Sequence, residues 1–161
     1  MLNLLTPRRA VTAVAVVVAL AAVAFAATRA YDRHADASAR ADAVAAARQT
    51  IVNFTEIDPK APDRSMDRVA AASTGDFKAE YAKDRATLRK AYADNALQAH
   101  GEVLEAGIAS ATRDSATVLL VVDQTVRKGK SGDPQLRHYR MRLDLARDRE
   151  RWLVSALAFV S

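Results

Sequence analysis

An α+β domain behind one apolar N-terminal segment is the architecture this chain predicts, and three observations predict it. Residues 10–28 carry no charge, no glycine and no proline. Residues 30–99 set apolar side chains at three- and four-residue spacing, the period of helices buried on one face. Beyond Gly101 the period shortens to two. Helices first and strands after indicate helices packed on one face of an antiparallel sheet.

The apolar segment comes first. As a helix its 19 residues span about 28 Å, close to the roughly 30 Å of a bilayer's hydrocarbon. Arg8 and Arg9 precede it and favour a cytoplasmic N-terminus. The competing reading is a cleaved signal peptide with Ala24-Phe25-Ala26 as its cleavage site. Against cleavage, an alanine-rich helical pattern runs straight on through Tyr31, Asp42 and Arg48. The expected division is therefore a cytoplasmic stub at 1–9, a transmembrane helix at 10–28, a juxtamembrane helix at 29–56 and the rest of one extracytoplasmic domain at 57–161. The expected localisation is the cell membrane, single-pass, with the domain outside.

Within 30–54, Ala43, Ala46, Ala47, Thr50, Ile51 and Phe54 form one stripe. Asp58-Pro59 and Ala61-Pro62 break the chain, because the residue before proline is pushed out of helix. Asp63 or Ser65 can cap a short second helix carrying Met66, Val69 and Ala70, with Gly75 ending it. A third helix is expected from Asp76 to about Ala99, its apolar face built from Phe77, Tyr81, Leu88 and Tyr92.

Four strands follow. The first is expected at 103–112, with Gly107 as a bulge or bend. The second, at 116–128, contains Thr117-Val118-Leu119-Leu120-Val121-Val122, a β-branched run typical of a strand buried on both faces. The turn cluster 129–134 leads to a third at 138–145, where Tyr139, Met141, Leu143 and Leu145 alternate with His138, Arg140, Arg142 and Asp144. A tight turn at Asp148-Arg149-Glu150 opens the last strand at 152–160.

Composition excludes several classes. There is no cysteine, hence no disulfide framework, thiolate zinc site or cysteine nucleophile. The net charge of +5 is uneven: residues 1–29 hold three arginines and no acid, 30–112 balance to −2 and 113–161 to +4. Nucleic-acid binders cluster basic residues more densely and interleave aromatics, so nucleic acid is not expected as a partner.

An ordered set of short stretches carries a family resemblance. It runs through Ala45-Ala46-Ala47-Arg48-Gln49-Thr50-Ile51-Val52-Asn53-Phe54, Ile57-Asp58, Thr74-Gly75-Asp76-Phe77 and Tyr81. It continues with Ala106-Gly107-Ile108, Ala116-Thr117-Val118-Leu119, Val122-Asp123-Gln124-Thr125-Val126, Tyr139-Arg140-Met141 and Trp152-Leu153-Val154. From about residue 10 to 160 the chain resembles the actinobacterial Mce-associated membrane proteins. The resemblance implies a transmembrane helix followed by a cone-shaped, nuclear transport factor 2-like domain. It also implies an accessory role in stabilising or assembling Mce-type complexes, which carry lipids or sterols across the envelope. One departure is the turn before Trp152, where the family usually has glycine and this chain has Glu150-Arg151.

The related fold also hosts enzymes with an Asp–His pair in the cone, which makes the placement of the histidines relevant to catalysis. His138 falls on a polar strand face, His100 near the end of the third helix, where the dipole suits it, and His34 near the membrane. No histidine pair has metal-ligand spacing, and neither H-E-x-x-H nor a glycine-rich phosphate loop occurs. No catalytic residue, metal or cofactor is expected. Asp123 stands inside an apolar strand, where burial costs free energy unless it is paired; Arg140 or Arg142 on the next strand is the expected partner. Phe77, Tyr81, Tyr139, Trp152 and Phe159 are candidates for lining an apolar cavity. Arg127, Lys128, Arg137, Arg140 and Arg142 are candidates for a docking surface. The leading expectation is a non-enzymatic, membrane-anchored accessory protein with Mce-type subunits as partners. The alternatives are a lipid- or sterol-binding carrier and a cavity enzyme of isomerase or dehydratase type.

Overall fold

The computed structural model describes the backbone of residues 7–129 and 131–160, and the side chains of 23–25, 29, 35–129 and 131–160. Three helices, α1 (Pro7–Thr55), α2 (Pro62–Ala71) and α3 (Gly75–Asp94), precede four strands. These are β1 (Leu97–Ala111), β2 (Ser115–Lys128), β3 (Gln135–Asp148) and β4 (Arg151–Phe159). The strands form one antiparallel sheet in the order β1-β2-β3-β4, each hydrogen-bonded to its sequence neighbour. The chain divides into two compact units, Met1–Ser38 and Ala39–Ser161. Among the described residues no helix is long and apolar enough to cross a membrane. The span expected at 10–28 falls, but for 23–25, outside the described side chains, as does His34.

In the Ala39–Ser161 unit the core is built from one stripe of α1 and one face of the sheet. Ala39, Ala43, Ala47 and Ile51 recur every four residues and are all buried, which is one face of a helix. Their small side chains let the helix lie close to Ala116, Val118, Leu120 and Val122 of β2 and Met141, Leu143 and Leu145 of β3. Trp152 and Val154 of β4 complete the cluster. Burying each leucine, valine or methionine of this set stabilises the fold by about 1.5–3 kcal/mol.

The end of α1 is tied to the sheet by specific bonds. Gln124 Nε2 donates to the Thr55 carbonyl at 2.8 Å, satisfying an otherwise orphaned C-terminal acceptor. Ile57 and Ala99 exchange backbone bonds of 2.9 and 3.0 Å. The approach is close enough that a Cβ on Gly101 would collide with the Thr55 side chain. Gly101 is therefore a packing glycine within β1.

Three elements, α2, α3 and β1, differ from expectation. The third helix ends at Asp94, and Ala96 takes a left-handed φ of 43°, so β1 starts at Leu97, six residues early. The bulges of β1 lie between Val103 and Glu105 and between Ile108 and Ser110, while Gly107 pairs regularly with Leu119. The N-cap of α2 is Ala61, with no side-chain cap; Pro62 supplies the preorganised first turn. Asp63 and Asp67 instead hold α3, through Arg85 at 3.2 and 2.6 Å and, for Asp63, Arg89 at 3.3 Å.

Both sheet edges are blunted. The two bulges interrupt β1, and on β4 the chain before α3 lies against Val154, with Val154 N to Ala72 O at 2.9 Å and Thr74 N to Val154 O at 2.8 Å. Bulges and covering segments of this kind discourage edge-to-edge pairing. Gly75 then starts α3 at a φ of +58°, a conformation that suits glycine.

Candidate functional site

Side chains alternate along a strand, so each of the inner residues Val118, Leu120 and Val122 leaves an outward neighbour. The expectation that β2 is buried on both faces is corrected here. Leu119 is 46% and Val121 39% exposed, because the α1 stripe of the Ala39–Ser161 unit packs against the other side. Val160, just past β4, is 46% exposed, and its amide donates to the Arg140 carbonyl at 2.8 Å. These three residues, with Glu105, Gly107 and Arg140, border a mostly apolar cleft of about 500 Å³ on the sheet.

The register arranges this outer face in rows. Glu105, Val121 and Arg140 lie opposite one another on β1, β2 and β3. The next row is Gly107, Leu119 and Arg142, and on the other side comes Glu102, Asp123 and His138. Asp123 is paired, but with His138 rather than with Arg140 or Arg142: Nδ1 lies 2.6 Å from Oδ1. The two stand directly opposite in the register, whereas Arg140 belongs to the next row and Arg142 to the one beyond it. Asp123 is only partly buried and His138 is 71% exposed. Arg142 donates to Asp144 Oδ1 from Nε at 3.2 Å and Nη2 at 3.1 Å, and Thr117 Oγ1 donates to the same oxygen at 2.7 Å.

The five basic candidates do not share one face. Arg140 and Arg142 stand on the outer face; alternation places Lys128 and Arg137 toward the opposite side of the sheet. Arg127 borders a separate cleft of about 850 Å³ with Glu56, Asp58, Lys60 and His100. His100 is on β1, not at a helix end, and its Nδ1 lies 3.0 Å from Glu56 Oε2.

The aromatic candidates fall in separate places. Phe77 and Tyr81 pack together, centroids 6.1 Å apart, with Phe54 beyond Tyr81 at 6.4 Å. Tyr139 meets Phe159 at 5.4 Å, although Phe159 remains largely exposed. Trp152 is buried in the core, with the Arg147 guanidinium 5.9 Å from its ring centroid. None of the five borders either cleft described above. Burial pushes the Tyr81 phenol up to about 12, with the nearby Tyr92 adding to the shift and Arg85 opposing it. Tyr92 is also raised by burial. Among the described residues no three histidine or carboxylate side chains gather to hold a metal.

Sequence reasoning missed the exposed apolar pair Leu119 and Val121 and the exposed Glu105 beside them. The available signal was the single flank of helix: one amphipathic α1 stripe can cover only one side of a four-stranded sheet.

Fold and face together define a small α+β domain with helices packed on a curved four-stranded antiparallel sheet. The family model described as "Uncharacterized protein Rv1363c/MT1408-like" matches residues 8–161, and the chain belongs to that family. A relative from Mycobacterium tuberculosis (strain ATCC 25618 / H37Rv), described as "Uncharacterized protein Rv1363c", is 25% identical over 122 residues. The match covers 75% of this chain and 47% of the relative, so the chain spans about half the length of that curated relative.

Solved structures share the fold at low identity. An IcmL-like type IV secretion system protein from Legionella pneumophila subsp. pneumophila str. Philadelphia 1 aligns with a TM-score of 0.60 and 14% identity, over 76% of this chain and 94% of that one. A periplasmic fragment of TraM gives 0.60 and 10%, over 73% and 94%. An Ntf2-like protein involved in plasmid conjugation gives 0.51 and 11%, over 76% and 49%.

Proposed function

We propose that this chain is a non-enzymatic accessory protein of the cell envelope, anchored by its apolar N-terminal segment, that stabilises or assembles an Mce-type lipid or sterol transport complex. The observation that carries the docking part of this reading is the outer face of the sheet. Leu119 and Val121 are exposed side by side on β2, with Val160 exposed beyond Arg140 in the same cleft, and Glu105 and Arg142 flank them. An apolar patch with a charged rim marks a site of protein association. The ordered residues of the family resemblance support the Mce assignment, and the secretion and conjugation proteins that share the fold fit a role inside a larger assembly.

Catalysis is left out of the proposal. General acid–base work calls for titratable groups converging in a site that excludes water, and the Asp123–His138 pair stands at the exposed face. The decisive experiment is a mild-detergent pull-down of the tagged full-length chain from native membranes, read by mass spectrometry. Co-recovery of Mce-type subunits with their permease is the expected result. A membrane protein recovered alone would overturn the assembly role. Recovery in the soluble fraction, lacking its first 26 residues, would overturn the anchor.

A further inference from the structure

We propose that an extended, acidic segment of a partner protein adds to the sheet as a strand, beside Gln135–His138 of β3 and in line with β4. The surface is an edge of the sheet, not its outer face, and stands apart from the reading above. β3 begins at Gln135, but β4 pairs with it only from Met141 onward. Among the described residues the last bond on that side runs from the Val160 amide to the Arg140 carbonyl at 2.8 Å. On the other side β2 pairs with the whole stretch, from Gln135 opposite Val126 to Tyr139 opposite Val122. The first residues of β3 thus have a neighbouring strand on one side only. The blunting seen on β1 and β4 does not reach them.

The Val160–Arg140 bond fixes which backbone groups are left over. Successive residues of an antiparallel strand aim their N–H and C=O groups alternately to its two sides. Arg140 is bonded toward β4, so Leu136 and His138 aim the same way, while Gln135, Arg137 and Tyr139 aim toward β2. The N–H and C=O of Leu136 and of His138 therefore stand at an open edge, a template for another strand. An antiparallel segment continuing the line of β4 would meet all four groups. Main-chain bonds of this kind give strand addition its affinity, and the alternate side chains give it specificity.

Those side chains set the chemistry of the partner. Leu136, Arg137, His138 and Arg140 are all exposed. On β2, Arg137 stands opposite Gln124 and Arg140 opposite Val121, so neither arginine faces an acid there. Asp123, the carboxylate opposite this stretch, is already held by His138. Opposite charges directly across an antiparallel pair attract. A segment with acids opposite His138 and Arg137 and an aliphatic residue opposite Leu136 fits this edge. Phe159 and Val160, both exposed at the end of β4, provide an apolar flank.

The test is fluorescence anisotropy of a labelled hexapeptide, Glu-Glu-Val-Thr-Val-Thr with blocked ends, titrated with the purified full-length chain in a mild detergent. Saturable binding is expected. N-methylation of the first and third peptide residues, whose amides would face β3, should abolish it; the same change at the second and fourth should not. Leu136→Pro removes an outward N–H, which an edge strand tolerates. It should weaken binding at least about fivefold with the circular dichroism spectrum unchanged. Arg137→Glu, at an exposed position, should weaken it too, and a peptide with lysine in place of both glutamates should bind that variant instead. The absence of saturable binding overturns the proposal. So does binding indifferent to the position of the N-methyl groups, or unchanged in both variants. A chain that associates with itself without peptide and separates on Leu136→Pro would assign the edge to a second copy and refute the acidic partner.

Discussion

The two faces of the sheet are cut from the same strands and differ in what covers them. On β2 the inner residues Val118, Leu120 and Val122 are almost wholly buried under α1, while Leu119 and Val121 between them stay exposed. On β3 the contrast is chemical as well: Met141, Leu143 and Leu145 point inward, and His138, Arg140, Arg142 and Asp144 outward. Folding accounts for the inner set. It does not account for a leucine and two valines displayed on the outside beside charged residues, and this is why we propose that face as the docking surface.

The largest effect expected from this contrast comes from placing the same charge on each face. Val118→Asp buries a carboxylate with no partner and should abolish the cooperative thermal transition. Val121→Asp should keep it, within about 0.5 kcal/mol of wild type. Equal damage from both would break the comparison. Next in size, Leu143→Ala opens the core and should cost about 2–5 kcal/mol in denaturant unfolding, against under about 0.5 kcal/mol for Leu119→Ala.

Gly101→Ala sharpens a different contact. The new methyl would strike Thr55 where α1 meets β1, and overpacking of this kind costs about 1–3 kcal/mol. A melting temperature equal to wild type would show that α1 and β1 can separate freely.

Alkaline pH probes the α3 side of the inner layer. The Tyr81 phenol is raised to about 12 by burial, above the value near 10 expected for an unfolded chain. The neutral form is thus favoured by folding. Its contribution to stability is complete below about pH 10 and is lost as the pH rises toward 12. Absorbance titration of the phenols should show a late phase that Tyr81→Phe diminishes, Tyr92 supplying the remainder; titration of every tyrosine near 10 would contradict the packing. The smallest effect belongs to the outer face, where Asp123→Asn should cost under about 1 kcal/mol.

Much of this was legible from residue spacing. The α1 stripe at 43, 47 and 51, the change of period and the clean alternation of β3 all report on one buried face, and local chain geometry transmits them directly. The end of α3 was not legible. Residues 95–100, Asn-Ala-Leu-Gln-Ala-His, suit a helix by propensity, and the turn is made by an alanine in the left-handed region. The partner of Asp123 was out of reach for another reason. Which β3 residue stands opposite depends on inter-strand register, which the 129–134 loop sets in space and no spacing rule encodes. The β2 run misled because a continuous apolar stretch looks the same whether its second face meets a helix, another chain or water.

The most direct test of the account is the recovery of envelope subunits by the tagged full-length chain carrying Val121→Asp, set beside wild type and a control at the exposed α3 residue Lys83→Glu. The account predicts that Val121→Asp loses its partners while folding and membrane recovery stay unchanged, and that the control keeps them. Full recovery by a folded Val121→Asp chain would contradict it, and the outer face of the sheet would no longer be the docking surface.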